Sequence, residues 1–238
     1  MCDTCGCDHR EVKSKTSTVD VNQSLLKVNE EAALANKKQF DEKEILAINL
    51  ISSPGSGKTT LLEKTIDALK NEISIGVLEG DIETELDAER IRARGVPAVQ
   101  LTTGGACHLE SDLIHKGFHS LEHQLAGKKL DLLFIENVGN LVCPAFFDLG
   151  EHIRVVLISV PEGHDKPLKY PKAVRTSQVL VISKVDLVAH FDFDIDKTKK
   201  DALALNPSLK VFVTSATTGE GLDEWLAFIK ESIHRLRR

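Results

Sequence analysis

The sequence predicts a doubly wound α/β fold, in which a mostly parallel sheet carries helices on both faces. After Lys43, apolar segments alternate regularly with segments of helical periodicity. Several apolar segments, such as LDLLFIE and VLVIS, are continuous, which is typical of strands that are covered on both faces. Ligands of this fold class bind at the carboxyl ends of the strands, so polar residues that follow a strand are the first candidates for a functional site.

The elements are predicted in order along 238 residues, a length sufficient for one sizeable domain and a short appendage. Asp20 can cap a helix that runs to about Phe40, because apolar residues recur there at spacings of three and four: Leu25, Val28, Ala32 and Ala35. Strands are predicted at residues 45–51, 73–79, 98–102, 130–136, 153–160, 178–183 and 210–214. Helices are predicted at residues 58–70, 83–94, 109–126, 196–205 and 222–236. The chain thus divides into a cysteine-containing segment (1–8), a linker with a leading helix (9–43) and one α/β domain (44–238).

The composition limits the class of partner. The formal net charge of −6 argues against nucleic acid or an anionic membrane surface as the main partner. No segment approaches the roughly 20 apolar residues that span a bilayer, and the first residues lack the basic-then-apolar pattern of a signal peptide. We therefore expect a cytoplasmic protein with reduced thiols, in which closely spaced cysteines indicate metal or redox chemistry.

The segment SSPGSGKTT, residues 52–60, has the composition of a phosphate-binding loop. Such a loop needs glycines so that backbone N–H groups converge on phosphate oxygens, a lysine for the β- and γ-phosphates and a hydroxyl for Mg²⁺. Ser52 stands where the G-x-x-x-x-G-K-[ST] pattern has its first glycine, but the segment joins a predicted strand to a predicted helix, as a phosphate loop does. The candidate nucleotide contacts are Gly55, Ser56, Gly57, Lys58, Thr59 and Thr60.

The segment SKVD, residues 183–186, predicts guanine as the base. The Asp186 carboxylate can accept hydrogen bonds from guanine N1–H and N2–H₂, whereas adenine presents an unprotonated N1 there. Lys184 can lay its stem along the base plane. The G-domain pattern usually has Asn at the position of Ser183. Two residues after the last strand occupy the usual place of a guanine-contacting backbone segment: Ser215 and Ala216.

Two acidic residues end predicted strands at the same edge of the sheet, Asp81 in ISIGVLEGD and Glu136 in LDLLFIE. Glu136 with Gly139 is similar to the D-x-x-G switch, in which the carboxylate organises Mg²⁺ and the glycine N–H senses the γ-phosphate. Asp81 can hold a Mg²⁺-bound water or orient the attacking water, and either carboxylate can be the catalytic partner of Lys58. The alternative for both is helix capping or salt bridging. No residue is identifiable as an arginine finger, so slow intrinsic hydrolysis is expected.

All five cysteines fall into two groups that resemble sets of metal ligands. Cys2, Cys5 and Cys7 place three thiols within six residues, and Gly6 lets the backbone fold back for the third. Soft thiolates of this kind suit Zn²⁺, Ni²⁺ or Cu⁺. The alternative is a tail with incidental cysteines.

The second group is Cys107 with His108, where a glycine-containing loop enters a predicted helix, and Cys143. Cys143 lies four residues after Gly139, so a γ-phosphate that moves Gly139 could also move Cys143 and change the affinity for metal. The alternative is two unrelated buried cysteines, because free cysteine is often a small core residue.

The helix predicted at residues 109–126 carries histidine every four residues, at His115, His119 and His123. His108 falls near the same line if the helix begins there. The simpler interpretation is a solvated polar face opposite the apolar residues of the helix. The other hypothesis is a secondary nickel-binding stripe that leads to Cys107.

These motifs together resemble the HypB family, the GTPases that help to insert nickel into [NiFe]-hydrogenases. The resemblance covers nearly the whole chain and rests on seven segments: MCDTCGC, NEEAALANKKQF, SSPGSGKTTLL, LEGDIETELDAERI, TTGGACHLE, IENVGNLVCPA and SKVDL. It implies a P-loop NTPase G domain of SIMIBI-like type that dimerises with GTP. It also implies a nickel site at the N-terminal cysteines and a second site for nickel or zinc, near the dimer interface, at Cys107, His108 and Cys143.

The resemblance implies partners as well: a HypA-like nickel chaperone, the hydrogenase large-subunit precursor and, in some members, a peptidyl-prolyl isomerase. Three alternatives remain. One is a urease-type accessory GTPase, whose usual Cys-Pro-His motif this chain lacks. Another is a GTPase that zinc regulates and that delivers nothing. The third is a P-loop kinase, against which Asp186 and Ala216 argue.

Overall fold

The computed structural model describes the backbone of residues 18–81 and 85–238, and within these ranges the side chains from residue 25 onward. The strands are β1 (Leu46–Ser52), β2 (Ile75–Asp81), β3 (Ala98–Thr102), β4 (Leu132–Gly139), β5 (Ile153–Ser159), β6 (Val179–Ser183) and β7 (Lys210–Val213). They form one seven-stranded sheet in the order β3-β2-β4-β1-β5-β6-β7. Every neighbouring pair is parallel, which confirms the predicted doubly wound fold.

Helices cover both faces of the sheet. They are α1 (Thr18–Glu42), α2 (Lys58–Leu69), α3 (Leu86–Arg92), α4 (Ser111–Leu125), α5 (Lys166–Lys169), α6 (Pro171–Thr176), α7 (Ile195–Leu205) and α8 (Leu222–Leu236). The two shortest, α5 and α6, each contain a proline in the first turn and have no counterpart among the predicted helices. Among the helices in the described part of the chain, none is long and apolar enough to cross a bilayer.

Alternate residues of the central strand β1 point to opposite faces, so each face has its own core. Leu46, Ile48 and Leu50 pack with α2 and α8, where the fully buried Trp225 also lies. Ala47, on the other face, packs with residues of α1 and α4 in a second cluster. The near-continuous burial of β1 explains why its sequence shows no alternation of apolar and polar residues.

Helix α1 packs through a different face from the predicted one. Leu25 and Val28 are 58% and 65% exposed. The buried face consists of Asn29, Ala33, Asn36 and Phe40. The apolar pattern misses this face because two of its residues are asparagines, whose side chains bind backbone groups at the start of α4 and at residues 148–149. Asp20 lies inside α1, so its predicted capping role is wrong.

The sheet order brings the functional strand ends together. Strands β2, β4 and β1 are direct neighbours, and the carboxyl ends of all three therefore lie at one edge. Helix α4 begins at Ser111 and not at residue 109, so Cys107 and His108 belong to the loop between β3 and α4. His108 therefore does not belong to the histidine stripe of α4.

Candidate functional site

The phosphate loop connects β1 to α2 and has the backbone shape that its glycines allow. Gly55 and Gly57 adopt φ values of 73° and 92°, in the left-handed region that favours glycine. Ser52 needs no such conformation, because it is the last residue of β1 and is fully buried. Its hydroxyl accepts a hydrogen bond from Lys58 Nζ at 3.0 Å. A serine is therefore compatible with this loop where the usual pattern has glycine.

Lys58 and Thr59 begin α2 at the floor of a cleft with a volume of about 490 Å³. Lys58 is only 8% exposed, so its ammonium group is removed from most of the solvent. Thr59 Oγ1 donates to Glu136 Oε1 at 2.7 Å. The structure thus brings the predicted lysine, the predicted hydroxyl and one of the two predicted carboxylates to a single point.

Glu79 is a member of this site that the sequence analysis missed. It lies on β2 directly opposite Glu136 on β4, and both are 2% exposed. Burial raises the pKa of Glu79 well above its ordinary value, and the charge of Glu136 raises it further. The signal was present in the sequence, because Glu79 stands two residues before Asp81 and alternate strand residues share a face.

Burial likewise raises the pKa of Glu136, while the Lys58 charge and the Thr59 hydrogen bond oppose the rise. One oxygen of each buried carboxylate, Glu79 Oε2 and Glu136 Oε2, has no hydrogen-bond partner in the structure. Carboxylate oxygens and a threonine hydroxyl oxygen are ligands that a hard divalent cation uses. The residues present therefore fit Mg²⁺. Asp81, half-buried at the end of β2, lines the same cleft.

The base side of the site is a neighbouring cavity of about 310 Å³. Its lining includes Asp186, Ala216, Ser56 and Thr60. Ser215 is not among the lining residues. It is fully buried and its hydroxyl accepts from the backbone N–H groups of residues 217 and 218, so it shapes the loop that carries Ala216.

The segment after β6 is joined to the phosphate loop by two hydrogen bonds. Ser183 Oγ donates to the carbonyl oxygen of Ser56 at 2.7 Å. Lys184 Nζ donates to the carbonyl oxygen of Gly55 at 2.6 Å. Ser183 therefore provides the contact to the phosphate loop at the position where the usual pattern has Asn, and Lys184 lies with its stem beside Gly57.

Gly139 packs directly on the phosphate loop. A Cβ at this position would lie 3.0 Å from Pro54 Cα, which is closer than Cβ atoms normally approach a backbone atom. The next residue, Asn140, pairs with Ser52 in an isolated bridge. Its side-chain Nδ2 donates to the carbonyl oxygen of Cys107 at 3.2 Å. A continuous path of contacts thus leads from the phosphate loop to the loop that carries Cys107.

Cys107, His108 and Cys143 come together beside that path. The sulfur atoms of Cys107 and Cys143 are 2.8 Å apart, and Cys107 Sγ lies 3.9 Å from His108 Nδ1. All three side chains offer ligand atoms within 4.8 Å of one another. Two thiols and one imidazole form a donor set that suits Ni²⁺ or Zn²⁺. The alternative of two unrelated buried cysteines does not fit this geometry, since Cys107 is exposed and Cys143 half-buried.

Neighbouring residues influence the protonation and the orientation of the ligands in this cluster. Burial lowers the pKa of His108, although Glu110 opposes the change, and a neutral imidazole is the form that binds metal. The His108 ring stacks on Phe147 with 3.9 Å between centroids, which fixes its orientation. A hydrogen bond with the Cys143 thiol raises the pKa of Cys107, and burial and the repulsion between the two thiolates raise it further. A bound cation would remove that repulsion.

The other predicted metal ligands, Cys2, Cys5 and Cys7, lie outside the described residues. The histidine stripe lies on the exposed face of α4. Its apolar residues point to the other side, where Ile114, Phe118 and Leu121 are buried.

Comparison with known proteins identifies several relatives. Residues 46–213 match the family model described as CobW/HypB/UreG, nucleotide-binding domain. The hydrogenase maturation factor HypB of Azotobacter chroococcum mcd 1 is 47% identical over 222 residues, which is 93% of this chain and 72% of that protein. The hydrogenase/urease maturation factor HypB of Helicobacter hepaticus is 41% identical over 214 residues, 90% of this chain and 88% of that protein.

A solved structure is similar in both sequence and fold. The crystal structure of HypB from Helicobacter pylori in complex with nickel superposes with a TM-score of 0.83 at 41% identity. The match covers 87% of this chain and 95% of that chain. The residues that the family model matches, 46–213, include the phosphate loop, the end of β4 and the Cys107 loop.

Proposed function

Since this chain belongs to the HypB family of nucleotide-binding proteins, we propose that it is a GTP-hydrolysing nickel-delivery factor for the maturation of [NiFe]-hydrogenase. The observation that supports this proposal is that the phosphate loop and the Cys107 loop both contact the end of β4 and the residue after it. The phosphate loop packs against Gly139, and the next residue, Asn140, holds the loop of Cys107. A nucleotide site and a soft-metal site therefore share one short segment of β4 and its continuation.

In the proposed GTP complex, the backbone N–H groups of the phosphate loop and Lys58 bind the phosphates. Asp186 accepts from the guanine edge, and Ala216 closes the base cavity from the other side. A preference for ATP would instead support a small-molecule kinase. The buried Lys58 ammonium favours an anion here, because the low dielectric of the cleft strengthens its attraction to phosphate.

Thr59 and Glu136 would hold Mg²⁺, with Glu79 and Asp81 next to them. When bound, the ion neutralises charge on the β- and γ-phosphates. Glu136 accepts a hydrogen bond from Thr59 and is buried, whereas Asp81 lines the same cleft in a half-buried position at the end of β2. We therefore assign the metal-holding role to Glu136 and the orientation of the attacking water to Asp81.

In the proposed reaction, water attacks the γ-phosphorus and the bond to the β–γ bridging oxygen breaks. GDP keeps that oxygen. One proton of the water stays on the released phosphate and the other is lost to solvent. Arg90 lines the cleft, but its guanidinium is bound to Asp87 at 2.6 Å and Glu63 at 2.9 Å. Because Arg90 is paired with these carboxylates and does not act as an arginine finger, the chain hydrolyses GTP slowly on its own.

Nickel is the cargo in this proposal, bound by Cys107, His108 and Cys143. Two apolar side chains beside Cys143 are strongly exposed, Val142 at 51% and Phe146 at 54%. Exposed apolar groups next to a three-ligand site support a GTP-promoted homodimer that covers the site. The N-terminal cysteines would hold a second nickel ion before transfer. Zinc competes for both sites because the donor atoms suit it equally.

The proposed partners follow from the family. A HypA-like nickel chaperone would receive or supply the metal, and the hydrogenase large-subunit precursor is the final acceptor. A peptidyl-prolyl isomerase is a further partner. The name of the Helicobacter hepaticus relative adds urease maturation as a second candidate function.

The test is nickel transfer from the loaded chain to purified hydrogenase large-subunit precursor, with apo-urease as a parallel acceptor. Transfer to the precursor that requires GTP and Mg²⁺ supports the proposal. GTP-dependent transfer to urease alone favours the second candidate. Binding and hydrolysis without transfer to either acceptor, with the chaperone present, would show a zinc- or nickel-regulated GTPase that delivers nothing.

A further inference from the structure

The exposed face of α4 carries a pair of imidazoles in close contact. His115 Nε2 and His119 Nε2 are 3.2 Å apart, and the two rings are nearly perpendicular with 4.6 Å between centroids. Residues four apart on a helix are neighbours on one face. Among the described residues, His123 is exposed on the same helix but has no hydrogen bond to either ring.

The separation of the two nitrogen atoms matches that of two ligands on one metal ion. Zinc–imidazole bonds are about 2.0–2.1 Å long, so two ligands at a tetrahedral angle place their nitrogens about 3.3 Å apart. The observed 3.2 Å is close to this value. The same i, i+4 spacing of histidines on a helix binds zinc in the H-E-x-x-H motif.

A carboxylate lies beside one of the two rings. His119 Nδ1 is 3.3 Å from Glu122 Oε2. A carboxylate at this distance favours the tautomer with the proton on Nδ1, which leaves the Nε2 lone pair free to bind a cation. Metal-binding histidines usually have such a partner for the second nitrogen. Glu122 is itself held by Lys43 Nζ at 2.6 Å, so the partner is fixed by a residue outside α4.

We propose that His115 and His119 form a further binding site for a first-row divalent cation such as Ni²⁺ or Zn²⁺. Glu122 acts as the positioning residue of His119, and water completes the coordination. The site is separate from Cys107, His108 and Cys143, because α4 begins at Ser111 and contains none of these three residues. It binds more weakly than the thiolates, since it has two neutral ligands and an exposed position. Weak binding on an exposed surface suits the capture and release of metal.

The alternative for this pair is a hydrogen bond between two histidines on a solvated face. In that case the contact has no consequence for metal binding. The two interpretations differ in what each substitution does, because only the metal site assigns separate roles to His119, Glu122 and His123.

The test is calorimetric titration of Zn²⁺ and of Ni²⁺ into the full-length chain with GDP, in which all five cysteines are serine. One equivalent is expected to bind. His115→Gln or His119→Gln should lower the affinity at least tenfold, and Glu122→Gln by about tenfold. His123→Gln is the matched control and should leave the affinity unchanged. Equal affinity in the His119→Gln and His123→Gln proteins would overturn the proposal.

A second readout does not depend on the folding of the cysteine-free protein. Imidazole ¹⁵N spectra of the wild-type chain, with its cysteines already loaded with Zn²⁺, report the tautomer of each histidine. The site predicts His119 with its proton on Nδ1, and a shift of the His115 and His119 Nε2 signals on further addition of Zn²⁺. Unchanged Nε2 signals for both residues would contradict it.

Discussion

Ser183 makes the contact to the phosphate loop through a hydroxyl group, where the usual G-domain pattern has an amide. Its hydroxyl reaches the carbonyl oxygen of Ser56 at 2.7 Å in a buried position, where the usual G-domain pattern has an asparagine. Ser52 stands where the phosphate-loop pattern has its first glycine. A serine fits there because the backbone is not left-handed, and its hydroxyl accepts a hydrogen bond from Lys58. Serine is acceptable at position 183 because its hydroxyl makes the hydrogen bond to the Ser56 carbonyl oxygen, and at position 52 because the backbone there is not left-handed.

Lys58→Ala tests the division of the chain into two sites. Loss of the ammonium group removes a charge aimed at the phosphates and should lower GTP hydrolysis by at least about 100-fold. Metal binding at Cys107, His108 and Cys143 should remain. Hydrolysis is measured by phosphate release and metal binding by nickel titration in GDP, and equal loss of both would contradict two separable sites.

Glu79→Gln tests the buried carboxylate pair. The folded-state pKa of Glu79 is raised above its ordinary value of 4.5, so its ionisation opposes folding at neutral pH and this effect disappears below that value. The neutral variant should therefore be more stable than the wild type at pH 7 without nucleotide, and the difference should shrink as the pH falls toward 4.5. Its Mg²⁺-dependent hydrolysis should be weaker.

Urea unfolding of the wild type and of Glu79→Gln at several pH values measures the difference in stability. The Mg²⁺ dependence of phosphate release measures the change in hydrolysis. Glu89→Gln, an exposed glutamate on α3, is the matched control. A stability difference between the variant and the wild type that does not change with pH would show that the pKa of Glu79 is not raised in the folded protein.

Cys143→Ala tests the internal metal site. It removes one of three ligands and should weaken nickel binding by more than the roughly 10–100-fold that changes outside the ligand shell cause. GTP binding should be retained, since Cys143 is not among the residues that line the nucleotide cleft. Unchanged nickel affinity in a protein with Cys2, Cys5 and Cys7 replaced by serine would exclude Cys143 as a ligand.

At the scale of elements, α1 is attached to the rest of the chain by buried polar contacts as well as by apolar ones. Asn36 Nδ2 donates to the carbonyl oxygens of Ser111 and Leu149, at 2.8 and 3.2 Å. Asn29 Oδ1 accepts from the Ser111 backbone N–H at 2.8 Å, which satisfies one of the free amides at the start of α4. The helix that follows the N-terminal cysteines is thereby attached to the helix that follows Cys107 and His108.

Asn36→Ala should destabilise the protein by about 1–3 kcal/mol, because it leaves two buried carbonyl oxygens without their donor. Leu34→Ala is the matched control on the same helix, and at 69% exposure it should change stability by no more than about 0.5 kcal/mol. Denaturant unfolding measures both. Equal effects of the two substitutions would show that α1 is held by its apolar residues.

At the scale of the whole molecule, local patterns predicted the fold and only part of the site. The seven strands are runs of apolar residues, and the phosphate loop lies between a strand and a helix that the sequence shows directly. Glu79 was missed because its place beside Glu136 depends on the register of β2 against β4. The buried face of α1 was missed because Asn29 and Asn36 are polar, and their partners lie far away along the chain.

The central claim is that the nucleotide controls the metal site through the end of β4. Gly139 contacts the phosphate loop, and Asn140 binds the loop of Cys107. A γ-phosphate that displaces Gly139 therefore displaces a neighbour of the metal ligands. Asn140→Ala removes the hydrogen bond to the Cys107 loop and keeps the side chains of all three ligands, so it is the variant that tests this link.

The most direct measurement is nickel titration of the reduced chain with Cys2, Cys5 and Cys7 replaced by serine, in GDP and in a non-hydrolysable GTP analogue, while its mass in solution is followed. We expect the nucleotide to change both the nickel affinity and the fraction of dimer, and the Asn140→Ala protein to lose the change in affinity. The same nickel affinity and the same mass in both nucleotides would contradict the claim, and metal release would then have to be driven by a partner protein.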